Sequence, residues 1–303
     1  MTGLQLAPSR VESTPLAHKL RDYLVLAKPR VVVMVMAVTA VGYYLGVLGT
    51  PDWLRLLHLM AGTALAAGGT LALNAYVERT EDALMSRTES RPLPDGRLEP
   101  AAALCFGLAA VLGGCAYLLI MVHALCAALI AFTTLIYLFG YTPLKRKTAL
   151  CTLVGALPGA LPPVVGWAAA RGTLVGEVWI LFAILFLWQL PHSLAIAWLY
   201  REDYARAGFR LLPVIHPDGR STGRHIVINN LALLAVGLLP TLVGLAGTLY
   251  FVAAFVLGLI FLGFGLELAF VRTTAAARRL LLASLVYLPV MFLFMALDKV
   301  PQF

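Results

Sequence analysis

The sequence predicts an all-α fold, a polytopic membrane bundle of about nine transmembrane helices with its N-terminus in the cytoplasm, on three observations. Hydrophobic residues make up 61% of the 303 and charged residues 13%, where a water-soluble domain carries about 25% charged. Apolar runs of about 20 residues, long enough to cross a ~30 Å hydrocarbon core, recur along the chain. The 23 Lys and Arg gather in alternate connections between those runs. Gly, Ala and Leu dominate the runs without strict alternation, which favours helices, whose backbone bonds close within one segment, over barrel strands.

Taken in order, residues 1–27 read as a cytoplasmic N-terminal segment. It has no uninterrupted apolar core followed by a small-residue cleavage site, and Glu12 and Asp22 argue against a mitochondrial presequence. Leu16 to Leu26 carries the pattern of an amphipathic interfacial helix. Residues 28–303 read as one transmembrane domain, with spans at 31–48, 56–78, 99–120, 122–141, 150–170, 178–199, 225–246, 248–270 and 280–297. Cys105, Cys115, Cys126 and Cys151 fall in or beside spans with no CxxC pair, and are expected to be small packing residues.

The connections set the topology. Arg10, Lys19, Arg21, Lys28 and Arg30 precede or open the first span; Arg79, Arg87, Arg91 and Arg97 follow the second; Lys145, Arg146 and Lys147 follow the fourth. Arg201, Arg206, Arg210, Arg220 and Arg224 follow the sixth, and Arg272, Arg278 and Arg279 the eighth. Only Arg55, Arg171 and Lys299 are left for the other side, so the N-terminus is assigned to the cytoplasm and the C-terminus across the membrane. The net charge of +8 is thus parcelled out by topology and does not indicate nucleic-acid binding. Two cytoplasmic loops are long, about 79–98 and 200–224, and both contain a Pro-Asp-Gly-Arg turn, at Pro94 and Pro217, a faint sign of internal duplication.

The chemistry is concentrated in the first of these loops. Asn74, Glu78 and Asp82 are spaced i, i+4, i+8, which stacks three oxygen-bearing side chains on one helical face. Such a face suits Mg²⁺, a hard cation that takes one or two carboxylates and completes its shell with water and phosphate oxygens. Arg87 and Arg91 continue the spacing and offer the donors that a diphosphate requires. The plainer alternative is a solvated helix end obeying the positive-inside rule. Lys145 and Arg146, directly after the helix-breaking Pro143, are placed to turn back toward the same site, whereas Lys147 reads as a topology anchor.

The run Asn74 to Pro94, the turn Tyr141-Thr142-Pro143-Leu144-Lys145-Arg146, the stretch Leu157 to Trp167, the segment Trp188-Gln189-Leu190-Pro191-His192, and Glu202-Asp203-Tyr204-Ala205-Arg206-Ala207-Gly208 with Leu212-Pro213-Val214 together resemble the haem O synthases. These are the protohaem IX farnesyltransferase branch of the UbiA-type intramembrane prenyltransferases. The resemblance runs from about Lys28 through Val214 and more loosely to the C-terminus. It implies a single prenyltransferase domain over 28–303, its helices arranged around a central cavity, and a bacterial inner-membrane location. Farnesyl diphosphate and haem B would be the substrates, Mg²⁺ the metal and haem O the product, as a step of haem A biosynthesis. A haem A synthase partner or a homo-oligomer fits the same picture.

By position, Asn74, Glu78 and Asp82 match the metal-diphosphate motif, and Lys145 and Arg146 the phosphate-binding pair. The second acidic motif of phenol-prenylating relatives is reduced here to Glu202 and Asp203, and Ser193 stands where an aromatic is expected after Pro-His. Tyr137, Tyr141, Trp167, Phe186 and Trp188 are candidates to line the cavity and face a carbocation, or simply to pack and anchor. His192, deep in the sixth span, would ligate haem iron, orient a water, or bond a backbone carbonyl freed by Pro191. The other histidines read as surface residues, and Glu267 as an unpaired intramembrane acid. Two other readings remain: a UbiA-type enzyme acting on an aromatic or quinone precursor, and a non-enzymatic haem carrier.

Overall fold

A computed structural model describes residues 15–301. The first fourteen residues of the N-terminal segment, together with Gln302 and Phe303, lie outside the described residues. The described chain is helical apart from its connections and one isolated β-bridge. In order, the helices are α1 (Pro15–Ala27), α2 (Pro29–Gly46), α3 (Trp53–Val77), α4 (Arg79–Asp82), α5 (Pro100–Met121) and α6 (Ala124–Leu135), the last followed by a π-helical turn (Ile136–Tyr141). Then come α7 (Thr142–Leu144), α8 (Cys151–Ala160), α9 (Pro162–Arg171), α10 (Val178–Leu199), α11 (Arg201–Arg206), α12 (Leu212–Ile215), α13 (Arg220–Gly237), α14 (Leu239–Leu242), α15 (Thr248–Val271) and α16 (Thr274–Leu297).

Nine stretches among the described residues are long and apolar enough to cross a membrane, as the sequence predicts. Their boundaries differ from the expected ones where polar turns extend a helix past its apolar core. The seventh stretch begins at Arg220, where Gly219 adopts φ 73° and stops the preceding turn, and the ninth begins at Thr274, capped by the Thr273 hydroxyl. The fourth runs through the π turn to Leu144, and the fifth is two helices, interrupted where Pro162 and Pro163 remove backbone donors.

With no hydrophobic drive between helices in lipid, close backbone approach supplies the packing. It is closest between α2 and α9, where a Cβ added at Gly42 would lie 2.1 Å from the Pro163 carbonyl oxygen and one at Gly166 only 2.0 Å from that of Thr39. A second large core joins α10, α13, α15 and α16 around Leu181, Ile226, Phe261 and Met291. α10 is shared between the two halves, with Leu185 and Leu194 in the core and Gln189 and Ser193 facing the space between them.

The side opposite the long loops shows where its cations go. Arg171 donates to the Gly46 carbonyl at 2.8 Å, and the Lys299 ammonium to those of Tyr44 and Val47 at 2.7 and 2.8 Å. They therefore satisfy the open C-terminal carbonyls of α2. Glu267, expected to be unpaired, is instead bound by Arg279 across the α15–α16 turn: both lie one helical step or two from the cytoplasmic connection that the charge pattern assigned.

Candidate active site

Asn74 lies in the last turn of α3, Glu78 is its C-cap, and Asp82 closes α4. The helix is interrupted at Glu78, whose φ of −92° and ψ of 13° leave the helical region. The three residues nevertheless keep the expected stack. The Glu78 N–H donates to the Asn74 carbonyl at 2.9 Å, and the Asp82 N–H to the Glu78 carbonyl at 2.8 Å, so i to i+4 spacing passes through the break. All three side chains are buried, and the Asn74 amide is oriented by donating to the Thr142 hydroxyl at 3.1 Å.

Each acid here meets a cation from another segment or from further along its own loop. Lys145 reaches Glu78 at 2.6 Å, Arg91 reaches Asp82 at 2.7 Å, and Arg146 reaches Glu81 at 2.9 Å. Burial works against the Lys145 charge, but Glu78 outweighs it and holds the ammonium above its ordinary pKa. A fourth cation was not anticipated as a site residue. Lys28, in the left-handed conformation at φ 50° directly before Pro29, turns its side chain inward to donate to the Asn74 amide oxygen at 3.4 Å. Burial, then Arg91 and Lys145, lower its pKa to about 8 against the opposing pull of Asp82 and Glu78. Its sequence signal was slight: a basic residue before a proline at the mouth of the first span.

Arg87 sits differently. Its guanidinium lies over the rings of Tyr200 and Tyr204, 4.9 and 4.7 Å from their centroids, and donates to the Tyr204 hydroxyl at 2.7 Å. Asp203 pairs with Arg206, which also reaches the Ser86 hydroxyl at 2.7 Å. Arg87 and Arg206 therefore join the two long loops across the site.

Behind this cluster lies a cavity of about 340 Å³ between α2, α3, α6, α8, α9 and α10. Tyr137 and Tyr141 of the π turn line it, and the turn is held by the Thr142 hydroxyl donating to the Tyr137 carbonyl at 2.8 Å. The Lys145 ammonium stands 4.4 Å from the centre of the Tyr141 ring, which puts the charged cluster directly against the cavity wall. Gln189 and Ser193 add polar atoms to an otherwise largely apolar lining. Trp167, Phe186 and Trp188 are not among its lining residues. Trp167 is fully buried in the core and stacked by Arg171, Phe186 stacks on Phe182, and Trp188 stacks on His192. His192 itself turns toward α16, where its Nδ1 lies 2.7 Å from the Ser284 hydroxyl and not against a carbonyl freed by Pro191.

No three His, Cys, Asp or Glu side chains converge among the described residues, so the oxygens available to a metal at the stack are two carboxylates and one amide. That donor set fits a hard cation sharing its shell with phosphate oxygens, and the surrounding cations fit the phosphates. Apolar volume behind a polyanion site suits a molecule with an anionic head and a long hydrocarbon tail.

The UbiA prenyltransferase family matches residues 35–297. A protoheme IX farnesyltransferase of Solibacter usitatus is 50% identical over 289 residues, covering 92% of this chain and 99% of its own length. One from Koribacter versatilis is 44% identical over 303 residues, covering 96% and 97%. Among solved structures, a digeranylgeranylglyceryl phosphate synthase superposes with a TM-score of 0.75 at 16% identity over 93% of this chain and 98% of its own. A UbiA homologue from Archaeoglobus fulgidus, bound to GPP and Mg²⁺, does so with 0.64 at 14% identity over 90% and 99%.

Proposed function

The chain belongs to the UbiA prenyltransferase family, and we propose that it transfers the farnesyl group of farnesyl diphosphate to a vinyl group of haem B, with addition of water, giving haem O and diphosphate. The observation that carries the reading is the buried Asn74-Glu78-Asp82 stack, ringed by Lys28, Arg91 and Lys145 and set against the tyrosines of an apolar cavity. Haem B as acceptor rests on the protoheme IX farnesyltransferases to which the chain is similar over nearly its whole length.

The allylic C1–O bond breaks as negative charge grows on the departing diphosphate, so donors fixed around that charge lower the barrier. Lys28, Arg91, Lys145 and Arg146 are those donors. Asn74, Glu78 and Asp82 would hold Mg²⁺, which when bound supplies a further positive charge to the leaving group. Tyr137 and Tyr141 present ring faces to the developing allylic cation, and the apolar wall keeps water from quenching it. The haem vinyl carbon then bonds to farnesyl C1. Water adds to the resulting haem-side cation and loses a proton, with His192 on that side of the reaction. Asp203, on the loop clasped by Arg206 and Ser86, supplies the remaining acid of the reduced second motif. A multi-pass protein of this kind belongs in the bacterial inner membrane, where a haem A synthase is the natural consumer of the product.

The purified protein, given haem B, farnesyl diphosphate and Mg²⁺ in ¹⁸O-labelled water, is expected to form a far more apolar haem that carries one solvent oxygen by mass analysis. Asp82→Ala, which removes a metal-face carboxylate, should abolish that product. An unlabelled product would overturn the water-capture step. Prenylation of a phenolic acid with no haem product would overturn the haem assignment.

A further inference from the structure

His192 and Trp188 lie one turn apart on α10, their rings stacked with centroids 4.9 Å apart and planes at 21°. Both are held by a single residue of α16. The Ser284 carbonyl accepts from the Trp188 indole N–H at 2.9 Å, and the Ser284 hydroxyl oxygen lies 2.7 Å from His192 Nδ1. Ser284 is fully buried. Its hydroxyl also lies 2.6 Å from the Leu281 carbonyl, which can only accept.

A serine hydroxyl has one hydrogen, and the Leu281 carbonyl takes it. With that hydrogen engaged, the Ser284 oxygen is left to accept from His192, an arrangement that puts the ring proton on Nδ1 and the lone pair of the neutral imidazole on Nε2. With Nδ1 turned to α16, Nε2 lies on the opposite edge of the ring. His192 is half-buried and does not itself line the cavity, which Gln189 and Ser193 beside it on α10 do.

We infer that Ser284 is a positioning residue, which fixes His192 in the Nδ1–H tautomer so that Nε2 takes the proton released when water adds to the haem-side cation. The inference rests on the farnesyl-transfer reading above. In that step the water oxygen bonds to the cationic carbon, one water hydrogen passes to Nε2, and the ring becomes an imidazolium that still donates from Nδ1 to Ser284. Trp188, stacked on the imidazole and tied to the same serine, prevents the ring from rotating about its own axis.

The test is ¹⁵N NMR of the full-length protein labelled at histidine, with His192→Gln to assign the resonance. In the wild type His192 should show a protonated Nδ1 and an unprotonated Nε2. Ser284→Ala should release the tautomer and lower turnover about tenfold or more while leaving the KM for farnesyl diphosphate unchanged. Ser284→Thr, which restores the hydroxyl, should recover both the tautomer and the rate, and Ser284→Ala should add no further loss to His192→Gln. A wild-type His192 protonated at Nε2 alone overturns the inference even if both variants fail to fold, as does full turnover in Ser284→Ala. Failure of the farnesyl-transfer reading would look different: the expected tautomer with no haem product from the wild type.

Discussion

Arg91 and Arg87 stand one helical turn apart in sequence and have separate work. Arg91 shares a buried carboxylate with the metal face, whereas Arg87 is exposed, stacked between two tyrosines of the other long loop. Arg91→Ala should raise the KM for farnesyl diphosphate about ten- to hundredfold, the loss of a charged hydrogen bond. Arg87→Ala should leave that KM nearly unchanged and instead make residues 79–98 and 200–211 more sensitive to limited proteolysis, since it releases the clasp between them. Spacing alone assigned both arginines to diphosphate, because it records which residues share a helical face and not which partner reaches them from elsewhere. Asn74, Glu78, Asp82 and Lys145 were legible because their geometry is local or follows a proline. Lys28 was not, since its entry depends on a left-handed backbone between α1 and α2 that no periodicity encodes.

Among the elements, α9 shows how backbone contact replaces side-chain bulk. Gly166→Ala would drive a methyl into the Thr39 carbonyl of α2, where the obstacle is backbone and cannot rotate away. It should cost on the order of 2–3 kcal/mol and lower the melting temperature in detergent by about 5 °C or more. Gly263→Ala in α15, where an added Cβ meets nothing within 4 Å, should leave it unchanged or slightly higher. The number and order of the spanning elements could be read from hydropathy because lipid imposes a length on every one of them. Their internal breaks could not. The π turn before Thr142 and the division at Pro162 lie in the cavity wall and the cap at Glu78 in the charged cluster, and an apolar run looks the same whether or not it is interrupted. The aromatic residues of α10 were misjudged as lining for a related reason: being apolar and deep fixes burial, not the direction a ring faces.

For the molecule as a whole, the charge asymmetry predicts the orientation in the membrane. A reporter inserted at Gly96, an exposed turn residue with φ 74° where an added Cβ meets nothing, should read as cytoplasmic, and one fused after Phe303 should read as external. A cytoplasmic signal from both would mean that the spans are miscounted. The cations on the side opposite the long loops add a further expectation. Lys299→Met leaves the Val47 carbonyl without this donor and the Tyr44 carbonyl with only the Val47 N–H at 3.4 Å, and should cost on the order of 1–3 kcal/mol of stability, read as a lower melting temperature with the KM for farnesyl diphosphate unchanged. The same lysine also orders events during synthesis. α2 is made early, yet part of the cap on its C-terminal end, beside the part given by Arg171, is contributed by a residue made after α16, more than 250 positions later. Until then only Arg171 of the two is there to tie the C-terminal end of the first spanning helix, and a chain stopped short of residue 299 would carry the whole charged site on a bundle that lacks one of its two ties at the opposite end.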